Sequence, residues 1–299
     1  MLGWRLAISA VLIPAVFGLF WFDHQVGRPA WPLLLFCLFV AVRGAWELND
    51  LLRVRSFETS FARTAILSAI VVASGWVHVL LPPMKGVADQ LATMGPIAAA
   101  WAISLLVLFF AAAVRYTEPG RTMETLGAEL LVVSYVGGLL AVTAQLRWVA
   151  EPHFGYLVLG SLLIGTKGGD IGAYTLGRLF GKRKMVPRLS PGKTWAGAVG
   201  AVLFSSLGTW AFLWVATPMF DANTKPPSIV WSLIYGAVLG VVGLIGDLAE
   251  SLIKRDVGKK DAAALLPGFG GLLDLIDSVI YAGPLAWVMW AMGEALRGQ

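Results

Sequence analysis

Two pairs of carboxylates are the residues of this chain best suited to chemistry. Each pair is spaced three residues apart where an apolar segment meets a charged one: Asp247 with Glu250, and Asp274 with Asp277. Residues three apart on a helix share a face, so a helical hairpin joining the two pairs would present up to four oxygen ligands. Mg²⁺ prefers such ligands, completed by water and substrate phosphates. The alternative is that these residues cap helices, since Asp favours N-caps and first turns.

The segment between the two pairs combines positive charge with glycine. Its basic residues are Lys254, Arg255, Lys259 and Lys260. They suit a polyphosphate or an anionic lipid head group, although charges beside a membrane span can also serve only to fix its topology. The Pro-Gly-Phe-Gly-Gly sequence at 267–271 can present successive backbone N–H groups to an anion, or it can be a flexible turn between helices.

A second charged cluster begins inside an apolar segment. Lys167 and Asp170 are three residues apart there, so they either neutralise each other or face a water-filled cavity and contact substrate. A basic stretch follows, and its candidate substrate contacts are Arg178, Lys182, Ser190 and Lys193. Further on, Gly236 and Gly240 have the small-residue spacing that is typical of closely packed membrane helices.

The composition indicates that membrane helices position these residues. Of the 299 residues, 58% are hydrophobic and 14% are charged, whereas about 25% are charged in a soluble protein. The long apolar runs without alternation predict an all-α, polytopic helical bundle rather than a β-barrel. At about 20 residues per crossing, we expect about nine spans, near 6–22, 31–48, 64–81, 97–114, 126–144, 154–179, 194–216, 229–253 and 278–296. We expect the sixth to be broken at 166–170.

The basic residues also predict an orientation. Most of the 23 Lys and Arg residues fall in the loops on one side of this bundle, the side that carries both charged clusters. Loops rich in Lys and Arg remain in the cytoplasm. The sequence therefore predicts a cytoplasmic N-terminus, with both clusters facing the cytosol, where nucleotides are found.

The two clusters together resemble the phosphatidate cytidylyltransferases, integral membrane enzymes that make CDP-diacylglycerol. The terminal signature of that family matches Ser251, Lys254-Arg255, Lys260-Asp261, Pro267–Gly271, Asp274 and Asp277-Ser278, and is preceded by Gly246-Asp-Leu-Ala-Glu-Ser251. The middle cluster is similar to two further family elements at Asp170, Tyr174, Gly177-Arg178, Gly181-Lys182, Ser190-Pro191, Lys193-Thr194 and Gly197. Weaker likenesses, at Glu47-Leu48 and from Tyr135 to Arg147, extend the resemblance over most of the chain.

The resemblance implies transfer of a cytidylyl group from CTP to phosphatidic acid, with Mg²⁺ as the cofactor and Asp247 and Asp274 as its ligands. It assigns catalytic roles also to Lys193, Lys254 and Arg255. Substrate contacts are then expected at Asp170, Arg178, Lys182, Ser190, Lys260, Asp277, Gly270 and Gly271. Residues 1–150 would be N-terminal membrane helices and residues 151–299 the catalytic region. We expect the cytoplasmic (inner) membrane as the location, the lipid bilayer and possible homodimerisation as interactions, and no nucleic-acid partner.

The sequence departs from the family pattern at three polar positions. Phe269 stands where the family has His, Leu275 where it has Arg, and Ala196 where it has Glu. These differences leave open a related CTP-dependent enzyme that acts on another lipid phosphate or on a polyprenol, or a catalytically weak lipid-binding paralogue. A transporter with an ion site at Lys167 and Asp170 would have inverted repeats, and no counterpart of the charged clusters precedes residue 125.

Overall fold

The computed structural model describes residues 2–55, 57–81, 89–150, 154–260, 262–263 and 270–297. Helices dominate them, because a chain in lipid must satisfy its backbone N–H and C=O groups internally. The helices are α1 Leu2–Val26, α2 Trp31–Arg53, α3 Phe61–Ser74, α4 Val77–Leu80, α5 Asp89–Arg115, α6 Thr122–Val132, α7 Leu139–Ala144, α8 Gly155–Phe180, α9 Trp195–Phe220, α10 Ile229–Asp256 and α11 Leu273–Arg297. A π-helical turn, Val133–Gly138, joins α6 to α7, and a 3₁₀ turn, Gln145–Arg147, follows α7.

The chain forms two compact units. The first unit comprises Met1–Gln145 together with Val257–Leu275, and the second comprises Leu146–Asp256 together with Ile276–Gln299. The helix α11 therefore begins in the first unit and continues in the second. The assignment of residues 1–150 and 151–299 to different functional regions stays a prediction.

The protein is a multi-pass membrane protein. Within the described residues, six helical segments are long and apolar enough to cross a bilayer: Trp31–Arg53, Ala92–Arg115, Thr122–Arg147, Trp195–Phe220, Ile229–Asp256 and Leu273–Gly293. These six match six of the nine predicted spans. The other three predicted spans fall on α1, on α3 with α4, and on α8, and the count of nine stays a prediction.

The predicted break in the sixth span is wrong. The helix α8 runs without interruption from Gly155 to Phe180, through residues 166–170. Glycine lowers helix propensity in isolation, but here it allows close packing: a Cβ atom at Gly172 would overlap the carbonyl oxygen of Gly200 on α9. Packing of α8 against α9 therefore stabilises a helix that the local sequence alone did not favour.

A short β-hairpin departs from the predicted all-α fold. Its antiparallel strands are β1, Lys184–Val186, and β2, Ser190–Thr194. Thr194 ends β2 and also caps α9, because its side-chain oxygen accepts a hydrogen bond from the Gly197 N–H at 3.1 Å. Such a cap satisfies a donor at the helix start that has no partner within the helix. The hairpin thus fixes Lys193 directly before α9.

Candidate active site

The candidate active site in the second unit is centred on Asp247. This aspartate lies on α10, and its Oδ2 atom forms an ion pair with the Nζ atom of Lys193 on β2. Both side chains are partly accessible, with exposed fractions of 28% for Asp247 and 23% for Lys193. The structure therefore brings together two of the residues that the sequence placed in different motifs.

A second carboxylate, Asp277 on α11, interacts electrostatically with the first. Asp277 is buried, interacts electrostatically with both Asp247 and Lys167, and also contacts the Glu250 side chain. The sequence predicts a hairpin that brings the carboxylate pairs together, and within this unit Asp277 interacts electrostatically with Asp247 and contacts Glu250, both on α10. A buried carboxylate needs charged or hydrogen-bonding partners, and here lysine is one of them.

Lys167 connects α8 to the same site. Its Nζ atom lies 3.1 Å from the Oδ2 atom of Asp170 and 3.1 Å from the hydroxyl oxygen of Ser278. Of the two readings of Lys167 and Asp170, mutual neutralisation is thus observed, and so is an additional link to α11. The sequence predicts substrate contact by Lys167 only if it faces a water-filled cavity, because a lysine inside an apolar span is a signal of function. Ser278 matches the family signature without a predicted role of its own.

A small cavity borders these charged groups. It is lined by residues of α8, β2, α9 and α10, among them Thr166, Asp170, Lys193 and Gly243. Its volume of about 10 Å³ is roughly what one water molecule needs. Close helix packing produces this small size: a Cβ atom at Gly240 would lie 2.8 Å from the Ala201 carbonyl oxygen, as the predicted small-residue spacing requires.

Two basic residues of the terminal signature have protein partners. Lys254 is buried on α10 and forms an ion pair with Glu250, one turn earlier, at 2.9 Å. Arg255 is exposed, and its Nε atom lies 3.4 Å from the Leu189 carbonyl oxygen in the β-hairpin. Contacts of these two residues with substrate phosphate stay predictions.

Four other predicted substrate contacts lie at or near the surface. Arg178 on α8 donates a hydrogen bond to the Tyr174 hydroxyl group at 2.9 Å. Ser190 is partly exposed at the first position of β2, and Lys182 and Lys260 are exposed. Accessible cations at these positions are compatible with anionic substrates, and their individual roles stay predictions.

Asp274 and the glycine-rich turn belong to the first unit. The Oδ2 atom of Asp274 accepts hydrogen bonds from the backbone N–H groups of Gly271, at 2.7 Å, and Ala262, at 3.0 Å. Gly270 adopts φ +93°, a left-handed conformation that glycine accommodates best. The Gly271 amide thus already binds a carboxylate of the protein, as the capping alternative for Asp274 expected, while substrate contacts of Gly270 and Gly271 stay predictions.

Two of the three residues that depart from the family motifs lie among the described residues. Leu275 and Ala196 are both partly exposed, the first on α11 and the second in the first turn of α9. Phe269 lies outside the described residues, together with Pro267, Gly268 and Asp261.

The carboxylates of the second unit offer a partial set of metal ligands. Asp247 and Asp277 interact electrostatically and supply hard oxygen donors, the donor type that Mg²⁺ prefers. Among the residues that the structure describes, no three His, Cys, Asp or Glu side chains are grouped so that they could hold a metal ion. This donor set fits Mg²⁺, because that ion is commonly held by one or two carboxylates, with substrate phosphates and water completing its shell.

Comparison with known proteins identifies the family of the chain. The model of the cytidylyltransferase family matches residues 4–292. The chain belongs to this family. A phosphatidate cytidylyltransferase of Pseudomonas aeruginosa is 32% identical over 298 residues, which cover 98% of each chain. The enzyme of the same name from Haemophilus influenzae is 29% identical over 297 residues, covering 95% of this chain and 96% of its own. The family predicted from the motifs, a family of nucleotidyltransferases, is confirmed.

Proposed function

We propose that the protein transfers the cytidylyl group of CTP to phosphatidate, producing CDP-diacylglycerol and pyrophosphate. The observation that carries this proposal is the ion pair of Asp247 with Lys193, together with the electrostatic interaction of Asp277 with Asp247 and Lys167. It joins a group that can bind a metal to groups that can bind phosphate, which is the combination that transfer at a phosphorus atom requires. Family membership and the names of the relatives support the choice of substrates.

The proposed reaction is a displacement at phosphorus. A phosphate oxygen of phosphatidate attacks the α-phosphorus of CTP, a new P–O bond forms, and the bond between the α-phosphorus and the bridging oxygen breaks, releasing pyrophosphate. The lipid phosphate is already ionised at neutral pH, so the reaction needs no strong general base. Positioning of the two substrates and neutralisation of their charge then supply most of the catalysis.

Two aspartates are proposed to hold Mg²⁺: Asp247 and Asp274, supported by Asp277 and Glu250. Two backbone N–H bonds to one oxygen of Asp274 do not by themselves exclude metal binding, because a carboxylate offers about four acceptor sites. When bound, the ion would neutralise phosphate charge and orient both substrates. These assignments rest on the family motifs and on the chemistry of the donors.

Several basic side chains are proposed to bind substrate phosphates. Lys193 is the principal candidate, because its partner Asp247 would exchange the ammonium group for the metal when substrates bind. Lys254, Arg255 and Lys260 are further candidates from the terminal signature. Lys167 joins them on structural grounds, since its ammonium group already lies beside Asp277 and Ser278.

The location of the protein follows from the same proposal. The site would face the cytosol across the cytoplasmic membrane, because CTP is cytosolic and most Lys and Arg residues lie in the loops on that side. Homodimerisation is implied by the family resemblance alone. Labelling of engineered cysteines in the loops of intact cells would test the orientation, and sedimentation in detergent would test the oligomeric state.

The direct test is cytidylyl transfer by the purified protein in detergent. Labelled CTP, phosphatidate and Mg²⁺ should give a lipid-soluble cytidine product, which Asp247→Asn should abolish. Asp221→Asn is the matched control, because Asp221 lies after the opposite end of α9 from Lys193. Product from polyprenol phosphates but not from phosphatidate would favour the related enzyme, and no product from any lipid phosphate by a folded protein would favour a silent paralogue.

A further inference from the structure

Glu47 on α2 is a fully buried acid in the first unit. Its Oε1 atom accepts a hydrogen bond from the Leu272 N–H at 2.9 Å, and its Oε2 atom accepts one from the Leu273 N–H at 2.8 Å. Arg43, one turn earlier on α2, forms an ion pair with Oε1 at 3.0 Å. Both oxygens of Glu47 are therefore engaged by residues at the start of α11 or by the neighbouring arginine.

The start of α11 depends on acceptors from outside the helix. The first N–H groups of a helix have no partner within it, and the N-terminus carries partial positive charge. Glu47 satisfies two consecutive N–H groups there, while Asp274 satisfies the Gly271 N–H just before them. Two carboxylates thus bind three successive amides between Gly271 and Leu273.

The absence of a side chain at Gly271 leaves room for the Glu47 carboxylate. A Cβ atom at position 271 would lie 2.5 Å from the Oε2 atom of Glu47 and 3.1 Å from the Ala263 nitrogen. Any larger residue would displace the Glu47 carboxylate or the loop. The second glycine of the Gly-Gly sequence is therefore required by Glu47, independently of any bound anion.

We propose that Glu47 is a positioning residue for cytidylyl transfer, an inference that rests on the function proposed above. From α2, it fixes where α11 starts, and so fixes Asp274 in the first turn of that helix. The carboxylate reaches no substrate itself and acts through residues 271–274. A shift of about 1 Å in reacting groups can lower a rate about 100-fold, so the loss of this anchor should appear in kcat.

Glu129 provides a matched control within the same unit. It is also a buried acid, accepts the Ser60 N–H at 2.8 Å next to the start of α3, and pairs with Arg63. The two acids have the same chemistry, and they differ in which helix start they bind. A purely structural role predicts similar consequences for Glu47→Gln and Glu129→Gln, whereas a positioning role predicts different ones.

The test compares the two glutamine variants with the wild type in detergent. Glu47→Gln should lower kcat by about 10- to 100-fold, with the KM for CTP changed by less than about threefold, since Glu47 binds the start of α11 and not CTP. Hydrogen exchange should become faster at the Leu272 and Leu273 amides. Glu129→Gln should keep kcat and the exchange of 271–273, even where both variants unfold at the same lowered temperature.

Gly271→Ala would disturb the same contact by adding a Cβ atom against the Glu47 carboxylate. It should lower kcat as Glu47→Gln does, whereas Gly127→Ala should not, because no atom lies within 4 Å of the Cβ position at Gly127 on α6. Wild-type kcat in Glu47→Gln, or equal kcat losses in Glu47→Gln and Glu129→Gln, would overturn the inference.

The exchange measurement separates this inference from the proposed function. If the wild type transfers no cytidylyl group to phosphatidate, the proposed function fails. Exchange at 271–273 that is the same in Glu47→Gln as in the wild type shows that Glu47 does not fix this loop. That result overturns the positioning role whether or not the protein is active.

Discussion

Asp247 in the second unit and Glu47 in the first unit are both carboxylates paired with a basic side chain, and they differ in what else binds them. Asp247 is 28% exposed and its partner is the ammonium group of a lysine. Glu47 is 0% exposed and also accepts two backbone N–H bonds. A lysine side chain is flexible and can move away from its partner, whereas backbone amides can leave only if the helix start moves.

This difference separates two tasks. A carboxylate whose partner can be exchanged is able to accept a metal ion or to release a lysine to a phosphate. A carboxylate held by backbone amides in a low-dielectric interior is rigid and orients what it binds. Asp247 and Glu47 have the same functional group, so their different surroundings determine their different roles. The four predictions below test that distinction.

The largest effect is expected at Asp247. Replacement by Asn removes the charge that would bind the metal and should lower turnover by about 1000-fold. Stability should change little, because ion pairs near the surface contribute about 0–1 kcal/mol. Turnover with labelled CTP and the midpoint of thermal unfolding measure the two effects. Turnover within tenfold of the wild type would remove Asp247 from the site.

The next effect concerns Lys193, for which activity and metal binding should change in opposite directions. Lys193→Gln removes a phosphate-binding cation, so turnover should fall about 100-fold. It also removes the ammonium group that neutralises Asp247, so Mn²⁺ should bind about tenfold more tightly in the absence of substrate. Electron paramagnetic resonance of free Mn²⁺ measures the affinity. Weaker Mn²⁺ binding would show that Lys193 and the cation do not compete.

Asp274 shares features with both carboxylates: like Asp247 it is proposed as a metal ligand, and like Glu47 it binds backbone amides. Asn at this position retains one oxygen for the two N–H groups that now share Oδ2. Asp274→Asn should therefore raise the Mg²⁺ concentration for half-maximal turnover, by about tenfold, without faster hydrogen exchange at Gly271. Faster exchange with unchanged Mg²⁺ dependence would group Asp274 with Glu47 as a positioning residue.

The smallest effect is expected at an exposed pair. Arg121 and Glu124 are both more than half exposed and form an ion pair of 2.6 Å, with no link to either carboxylate of the comparison. Such pairs contribute little because water and salt screen them. Glu124→Gln should change neither turnover nor the unfolding midpoint, and a loss of turnover there would show that charge alone, rather than placement, governs these variants.

The helices and the family could be predicted from the sequence, because both depend on local information. Apolar runs form helices in lipid since no other local arrangement satisfies their backbone groups. The signature residues around Asp247 and Asp277 are contiguous in the chain, so they can be recognised without a structure. By contrast, the continuity of α8 and the β-hairpin at 184–194 depend on packing, and neither could be predicted from local sequence.

The contacts within the candidate site also could not be predicted from the sequence. The sequence indicated that Lys193, Asp247 and Asp277 matter, but their contacts depend on how β2, α10 and α11 pack. Lys167 carried a recognisable signal as a charge inside an apolar segment. Glu47 carried only a weak likeness, because its partners Leu272 and Leu273 lie more than 220 residues later in the chain and have apolar side chains whose backbone amides make the contact.

The sequence by itself determined that this is a helical membrane protein of the cytidylyltransferase family, and which acids and cations form its motifs. It did so because hydrophobic length and residue type are properties of the chain alone. Only the tertiary structure decided which acid meets a lysine and which meets backbone amides. Those partners come from distant segments, and a hydrogen bond to a backbone N–H leaves no trace in the identity of the residue that donates it.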